Sequence, residues 1–264
     1  MGLFEFFRRP PPIRDAQELA DFVDRQAAFL MQKGIYEYSR ARAGHYAKVL
    51  FREQGFQQAV EESRWRAYPL GLAMVAELVE GVLRPHGIDR HRQLDALSAL
   101  VLSVFDRYPV PTALGEQAWR EARAELARRL QLIGLHAPKR AFDICEPWAE
   151  TYFNLMPIHE KLRGRDFPTI RNYLRVTLCN IHDEVTKRMD AQALARCCTG
   201  PTPDPPRHNG RHGATSMVTA QRRNIAPLIR ARSSKGVMAQ HGAMSTVYFS
   251  LDPLGGAFLS RVAV

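Results

Sequence analysis

The sequence predicts an all-α protein: a compact multi-helix bundle over residues 15–196, preceded by a short aromatic, basic and proline-rich segment (1–14) and followed by a mostly disordered, low-order basic tail (197–264). Three observations predict it. Apolar residues recur at three- and four-residue spacing through most of the body, the signature of one buried helix face. Capping residues, glycines and prolines fall where such helices would begin and end. Alternating β-branched or aromatic runs bounded by hairpin turns are absent, so no strand pattern competes with the helical one.

The elements follow in order. Asp15 with Glu18 forms a D-x-x-E start for "AQELADFVDRQAAFLMQK", in which Leu19, Phe22, Val23, Phe29 and Leu30 share a face and Gly34 supplies a stop. "IYEYSRARAGHYAKVLFREQ" predicts a second helix to about Gly55, and "FQQAVEESRWRAY" a third that ends at Pro69, because an interior proline costs about 3 kcal/mol. "PLGLAMVAELVEGVLR" is apolar nearly all round, which marks the central helix, closed by Pro85, His86 and Gly87. "RQLDALSALVLSVFDRY" is the next apolar helix, and "PTALGEQAWREARAELARRLQLIG" follows with an ion-pairing outer face. A loop through Pro138 and Pro147 leads to a short helix at "WAETYFNL" and a turn at Met156–Pro157. A final long helix is opened by Asp166 as cap and Pro168 in the first turn.

Charge does not point the body toward nucleic acid. The formal net charge is +10, but the tail holds eight Lys and Arg against two Asp, an excess of +6, and leaves +4 on residues 1–196. A body so nearly balanced has no global attraction to phosphate backbones. The tail has six prolines, seven glycines and no sustained periodicity, so it is read as a basic tether for RNA or acidic lipid, as a dispensable extension, or as a frame-shifted extension beginning near Cys197. His208 and His212 are four apart there, but Gly210 and the nearby prolines oppose the helix that metal binding would need. Four irregularly spaced cysteines (145, 179, 197 and 198) fit reduced thiols rather than a disulfide framework or zinc site. No apolar run approaches the ~18 residues of a membrane span and no secretory leader is recognisable, which sets the expectation of a cytoplasmic protein. The N-terminal Phe4, Phe6, Phe7, Arg8 and Arg9 offer at most a peripheral membrane contact, and docking on the bundle is the expected outcome.

Motifs of common catalytic folds are missing. No dinucleotide fingerprint, P-loop or nucleophile elbow occurs, and no histidine follows a glutamate by three residues as di-iron bundles require. Within "CNIHDEVTKR", Leu174, Leu178, Ile181 and Val185 form the buried stripe, His182 lies beside it, and Asp183 and Glu184 are expected to pair with Lys187 and Arg188. The alternative for His182–Asp183 is the metal dyad of helical HD-type phosphohydrolases, with His159 as the upstream ligand. The pattern lacks the separated downstream aspartate of that family. Glu77 and Glu80 place two carboxylates on one face of the central helix, with Arg40, Arg42, Arg64 or Arg66 as expected partners. The stretch "YEYSRARAGHYAK" puts Tyr38 and Arg42 on one helical face, continued by His45 and Tyr46, which suits the wall of a pocket for a small anionic ligand. Glu77, Glu80, His159 and His182 are the candidate facing groups. No cofactor is expected.

The segments "GIYEYSRARAGHYAKVLF", "SRWRAYPLGLAMVAELVEGVLRP" and "LMPIHEKLRGRDFPTIRNYLRVTLCNIHDE" resemble an uncharacterised family of bacterial all-helical proteins, over residues 1–196 but not the tail. Some members carry an automatic esterase label, so the resemblance implies acyl hydrolysis. The residues do not supply it, since Ser39 and His45 on one helix cannot form a serine–histidine pair. The functional expectation is a module that binds a protein or small ligand, with a hydrolase as the alternative.

Overall fold

The computed structural model describes residues 11–87 and 89–194, together with the backbone of two short strands in the tail. The first helix, α1 (Ala16–Ala28), begins as the sequence predicts: the Asp15 carboxylate accepts from the Glu18 amide at 2.8 Å, and Glu18 reaches back to the Arg14 amide at 2.7 Å. Gly34, however, does not stop it. Phe29–Lys33 forms a π-helical turn that runs straight into α2 (Gly34–Ala43), with Gly34 at φ −58°. The glycine is needed for contact. A Cβ there would lie 2.3 Å from Tyr152 Oη and 2.6 Å from Tyr173 Cε1.

α2 ends at Gly44, whose φ of +54° is a conformation that L side chains rarely adopt. The predicted second helix is therefore broken into α2, a 3₁₀ turn (Gly44–Tyr46) and α3 (Ala47–Leu50). The predicted break at Pro69 is also corrected, since α4 runs from Gln54 to Leu83 with Pro69 inside it. The missing N–H leaves the Trp65 carbonyl without its helical donor. Against that cost of about 3 kcal/mol stands a continuously buried run, Ala67–Glu80, in which Leu72, Met74 and Val75 are each fully enclosed. Each such side chain contributes about 1.5–3 kcal/mol, and ending the helix here would strand backbone groups in the centre of the bundle.

α4 is the central rod, as its composition predicts, and packs against α1, α2, α5 (Arg90–Phe105), α6 (Gly115–Ile133) and α9 (Phe167–Arg188). Gly71 lies close against α1 and the π-turn, where an added Cβ would meet Ala27 O at 2.9 Å and Met31 Cγ at 2.6 Å. The short α7 (Ala149–Asn154) and α8 (Glu160–Arg163) connect α6 to α9. Leu174, Leu178, Ile181 and Val185 of α9 are buried as the stripe predicts. α9 is tied back to the chain start by a parallel bridge between Ile13 and Met189.

Asp24 on α1 is the polar centre of the α1–α4–α5 contact. It accepts from Tyr68 Oη at 2.7 Å and from Tyr108 Oη at 2.8 Å, beside edge-to-face contacts among Trp65, Tyr68, Tyr108 and Trp119. Burial, and then the bond to Asp24, push the Tyr108 phenol up to about 12 and Tyr68 further in the same direction. The folded chain thus holds these protons more tightly than the unfolded chain, whose tyrosines ionise near ~10. The stabilisation is complete below pH ~10 and is lost as pH rises through the folded values. Tyr108→Phe should flatten that alkaline fall in urea-unfolding stability; an unchanged slope between pH 10 and 12 would contradict the assignment.

The chain divides into two units, residues 1–202 and 203–264. In the second, β1 (Tyr248–Leu251) pairs antiparallel with β2 (Ala257–Ser260), in the register Tyr248 opposite Ser260. These eight residues are the part of the tail that the structure describes, and they leave the expectation of a mostly low-order tail standing. The rest of that expectation, the N-terminal aromatic segment, Cys197, Cys198, His208 and His212 lie outside the described residues.

Candidate functional site

The predicted pocket wall on α2 is a closed knot. Tyr38 Oη donates to Asp166 Oδ2 at 2.9 Å, Arg42 Nε lies 3.3 Å from the same oxygen, and Arg42 Nη2 donates to the Leu162 carbonyl. Tyr38 and Arg42 do share a face, and what they meet is the start of α9. Burial first, then the bond to Asp166, hold the Tyr38 phenol well above its ordinary range. Asp166 therefore spends its carboxylate on α2 and makes no side-chain cap, contrary to the sequence reading. It is the member of the cluster that sequence reasoning missed, because its partner lies more than a hundred residues away. His45 and Tyr46 do not continue the face. The Gly44 turn carries them into solvent, where the two rings contact each other at 4.0 Å.

The proposed facing groups are elsewhere. Glu80 forms a two-bond fork with Arg84, the residue that follows its helix, 2.8 Å to Nε and 2.7 Å to Nη2. Glu77 meets Lys139 Nζ at 2.8 Å and His136 Nε2 at 3.6 Å. Neither carboxylate pairs with Arg40, Arg42, Arg64 or Arg66; Arg64 binds Glu61 and Gln32, and Arg66 binds Glu62. The reason is geometric: Arg84 lies one turn beyond Glu80, while the 134–139 loop closes over Glu77. His159 caps α8, its Nδ1 accepting from the Lys161 amide at 3.3 Å. His182 stands sixteen residues beyond Asp166, ~24 Å along α9, with its Nδ1 3.8 Å from Asp183. Glu184 forms the expected pair with Arg188 and also accepts from Gln26 at 2.8 Å. Asp183 has no ion pair with Lys187, the second pair expected. Among the described residues, no three His, Cys, Asp or Glu side chains are grouped to hold a metal.

Three serines bond within their own helices, and the Cys145 thiol is buried. Ser39 donates to Ile35 O, Ser63 to Ala59 O and Ser103 to Leu100 O, each at 2.7 Å. Burial pushes the Cys145 thiol up to about 11 and raises that of Cys179, so neither is set up as a thiolate nucleophile. A slow reaction of folded Cys145 with a disulfide reagent at neutral pH is expected; a rate equal to that of the urea-unfolded chain would contradict its burial.

Side chains from three helices do converge at a groove the sequence did not indicate, between α4, α6 and the end of α7, with a volume of about 320 Å³. Small residues make the space: Ala118 and Ala122, one turn apart on α6, face Pro69 and Leu70 of α4, with Leu126 and Leu155 completing the apolar wall. The polar side is carried by Glu125 and Arg129. Glu125 binds Arg128 through two bonds and Arg129 Nε through one at 2.6 Å. The hydrogen bonds from Arg128, opposed by partial burial and reinforced by Arg129, lower the Glu125 carboxyl to about 2.

The Arg129 guanidinium lies 4.0 Å from the Trp148 ring centroid. Its Nη1 is buried and has no acceptor, and the buried Trp148 Nε1 has none either. Two enclosed donors without partners cost about 1–3 kcal/mol each; of the two residues, Arg129 lines the groove. No family model, curated protein or solved structure matches the chain.

Proposed function

We propose that this protein is a small-ligand-binding module whose α4–α6–α7 groove takes a molecule with an apolar body and a carboxylate-type oxygen. The observation that carries this reading is the acceptor-free Nη1 of Arg129, on a side chain that itself lines the groove. With Nε on Glu125 and its face on Trp148, the guanidinium keeps Nη1 without an acceptor; Nη1 is enclosed in the free chain, so a carboxylate meets it as the Arg129 side chain shifts at the groove wall, and arginine recognises carboxylates through such donors. The volume lies at the low end of ligand sites, which suits a short acyl chain rather than a nucleotide.

The test is calorimetric titration of the full chain with straight-chain carboxylates of increasing length and with the matching alcohols. Carboxylates should bind saturably and more tightly than alcohols. Arg129→Met should weaken them about 10- to 100-fold, the loss of one charge-assisted hydrogen bond. Ala122→Phe should abolish binding by filling the groove. Absence of saturable binding, or Ala122→Phe binding like the natural chain, would overturn the reading.

A further inference from the structure

Four large apolar side chains among the described residues are at least 60% exposed: Leu135 (77%), Tyr46 (65%), Leu162 (62%) and Val49 (60%). Three of the four belong to two neighbouring segments, the end of α2 with α3, and α8. Arg42 joins these segments, donating to the Leu162 carbonyl and pairing with Asp166, while Tyr46 and Val49 follow Arg42 by four and seven residues. Gly44 and Gly164, both at φ +54°, end α2 and α8 and turn the chain just beside these side chains. Arg42 thus ties the α8 segment to the end of α2, and Tyr46 and Val49 follow on the chain just after the Gly44 turn.

Charge is concentrated in the same segments. Residues 36–53 and 159–166 hold seven Lys and Arg against four Asp and Glu, an excess of +3, out of the +4 carried by residues 1–196. Arg40, Lys48, Arg52, Lys161 and Arg165 are in no ion pair among the described residues. Glu37, Glu53 and Glu160 are the carboxylates beside them, besides the committed Asp166.

We infer that this end of the bundle is a docking surface for an anionic lipid membrane, with Val49 and Leu162 entering the boundary of the acyl region, Tyr46 at the headgroup level and the unpaired cations meeting lipid phosphates. Unpaired cations around projecting apolar groups are the combination that holds a protein on an anionic interface. Single-stranded RNA needs flat stacking surfaces, and two of the three projecting side chains are aliphatic. The Tyr38–Asp166–Arg42 knot thereby gains a purpose: it fixes the relative position of the two segments that make the contact.

Co-sedimentation of the full chain with vesicles tests this, using phosphatidylcholine alone and phosphatidylcholine containing one part in three of phosphatidylglycerol. Binding should require the anionic lipid and weaken with salt. Val49→Asp with Leu162→Asp should lower partitioning at least ~10-fold with an unchanged helical spectrum, since both side chains are exposed. Lys48→Glu with Arg52→Glu should act in the same direction. Undiminished binding of these variants would assign the affinity to the basic tail or N-terminal segment and overturn the inference. So would equal binding to neutral vesicles, no binding, or variant-sensitive binding to an oligouridylate instead of vesicles.

Discussion

Arg84→Met should destabilise the bundle by about 3–5 kcal/mol, because it strands the Glu80 carboxylate in the interior. Glu80 is 3% exposed and Arg84 14%, so neither side chain can turn to water without opening the packing of α4. Arg84 also donates through Nη1 to the His136 carbonyl at 2.9 Å, holding the loop after α6 against the central helix. Removing the guanidinium therefore loses three hydrogen bonds and leaves an uncompensated charge. The double variant Glu80→Leu/Arg84→Met should recover most of the loss, since the desolvation of both ions disappears with them. Urea unfolding of the three proteins at neutral pH checks this. A single-variant loss below about 1 kcal/mol would mean that the pair behaves as a solvated surface bridge.

The second large effect is expected at Gly34. Substitution by alanine should cost about 3 kcal/mol, combining overpacking with loss of the hydrogen bond from Tyr152 Oη to Met31 O at 2.8 Å. The site cannot relax easily. Tyr152 is fully buried, and Tyr173 approaches the same point from α9, its hydroxyl donating to Leu30 O at 3.1 Å. Both tyrosines bond carbonyls of the π-turn region, so moving them would release acceptors that the irregular turn depends on. Tyr152→Phe combined with Gly34→Ala should relieve only part of the strain, because the Tyr173 contact at 2.6 Å remains. A change in urea midpoint with an unchanged slope is the expected signature. Wild-type stability in Gly34→Ala would show that Gly34 is not at a close contact.

Both predictions arise where the sequence reading went astray. Gly34 has the look of a helix stop because glycine after an amphipathic run commonly serves as one; only the arrival of Tyr152 and Tyr173 from distant helices shows that the side chain had to be absent. Pro69 has the look of a terminus for the same local reason, and it was overruled by the burial of the residues after it. The buried Glu80 suggests an arginine from a neighbouring helix, and its partner is Arg84, one turn further along the chain. The i,i+4 spacing alone is enough to indicate this local pair.

The α4–α6–α7 groove had the faintest signal of all. Ala118 and Ala122 are ordinary helix formers, and nothing in "EQAWREARAEL" distinguishes alanines that open a space from alanines that sit on a surface. The unpartnered donors of Arg129 and Trp148 are likewise invisible before the chain folds, since satisfaction of a hydrogen-bonding group is a property of its surroundings.

What this sequence determined by itself is the helical class and the faces of the rods, not all of their ends: the Asp15 cap, the buried stripe of α9, the apolar girth of α4 and the polar face of α6 all follow from periodicity and capping, which act within a turn or two of the chain. Tertiary structure alone decided which side chains meet. Asp166 joins Tyr38 and Arg42, Glu77 joins Lys139, and two alanines leave a groove, because each of these outcomes depends on the distance between residues that only packing brings together.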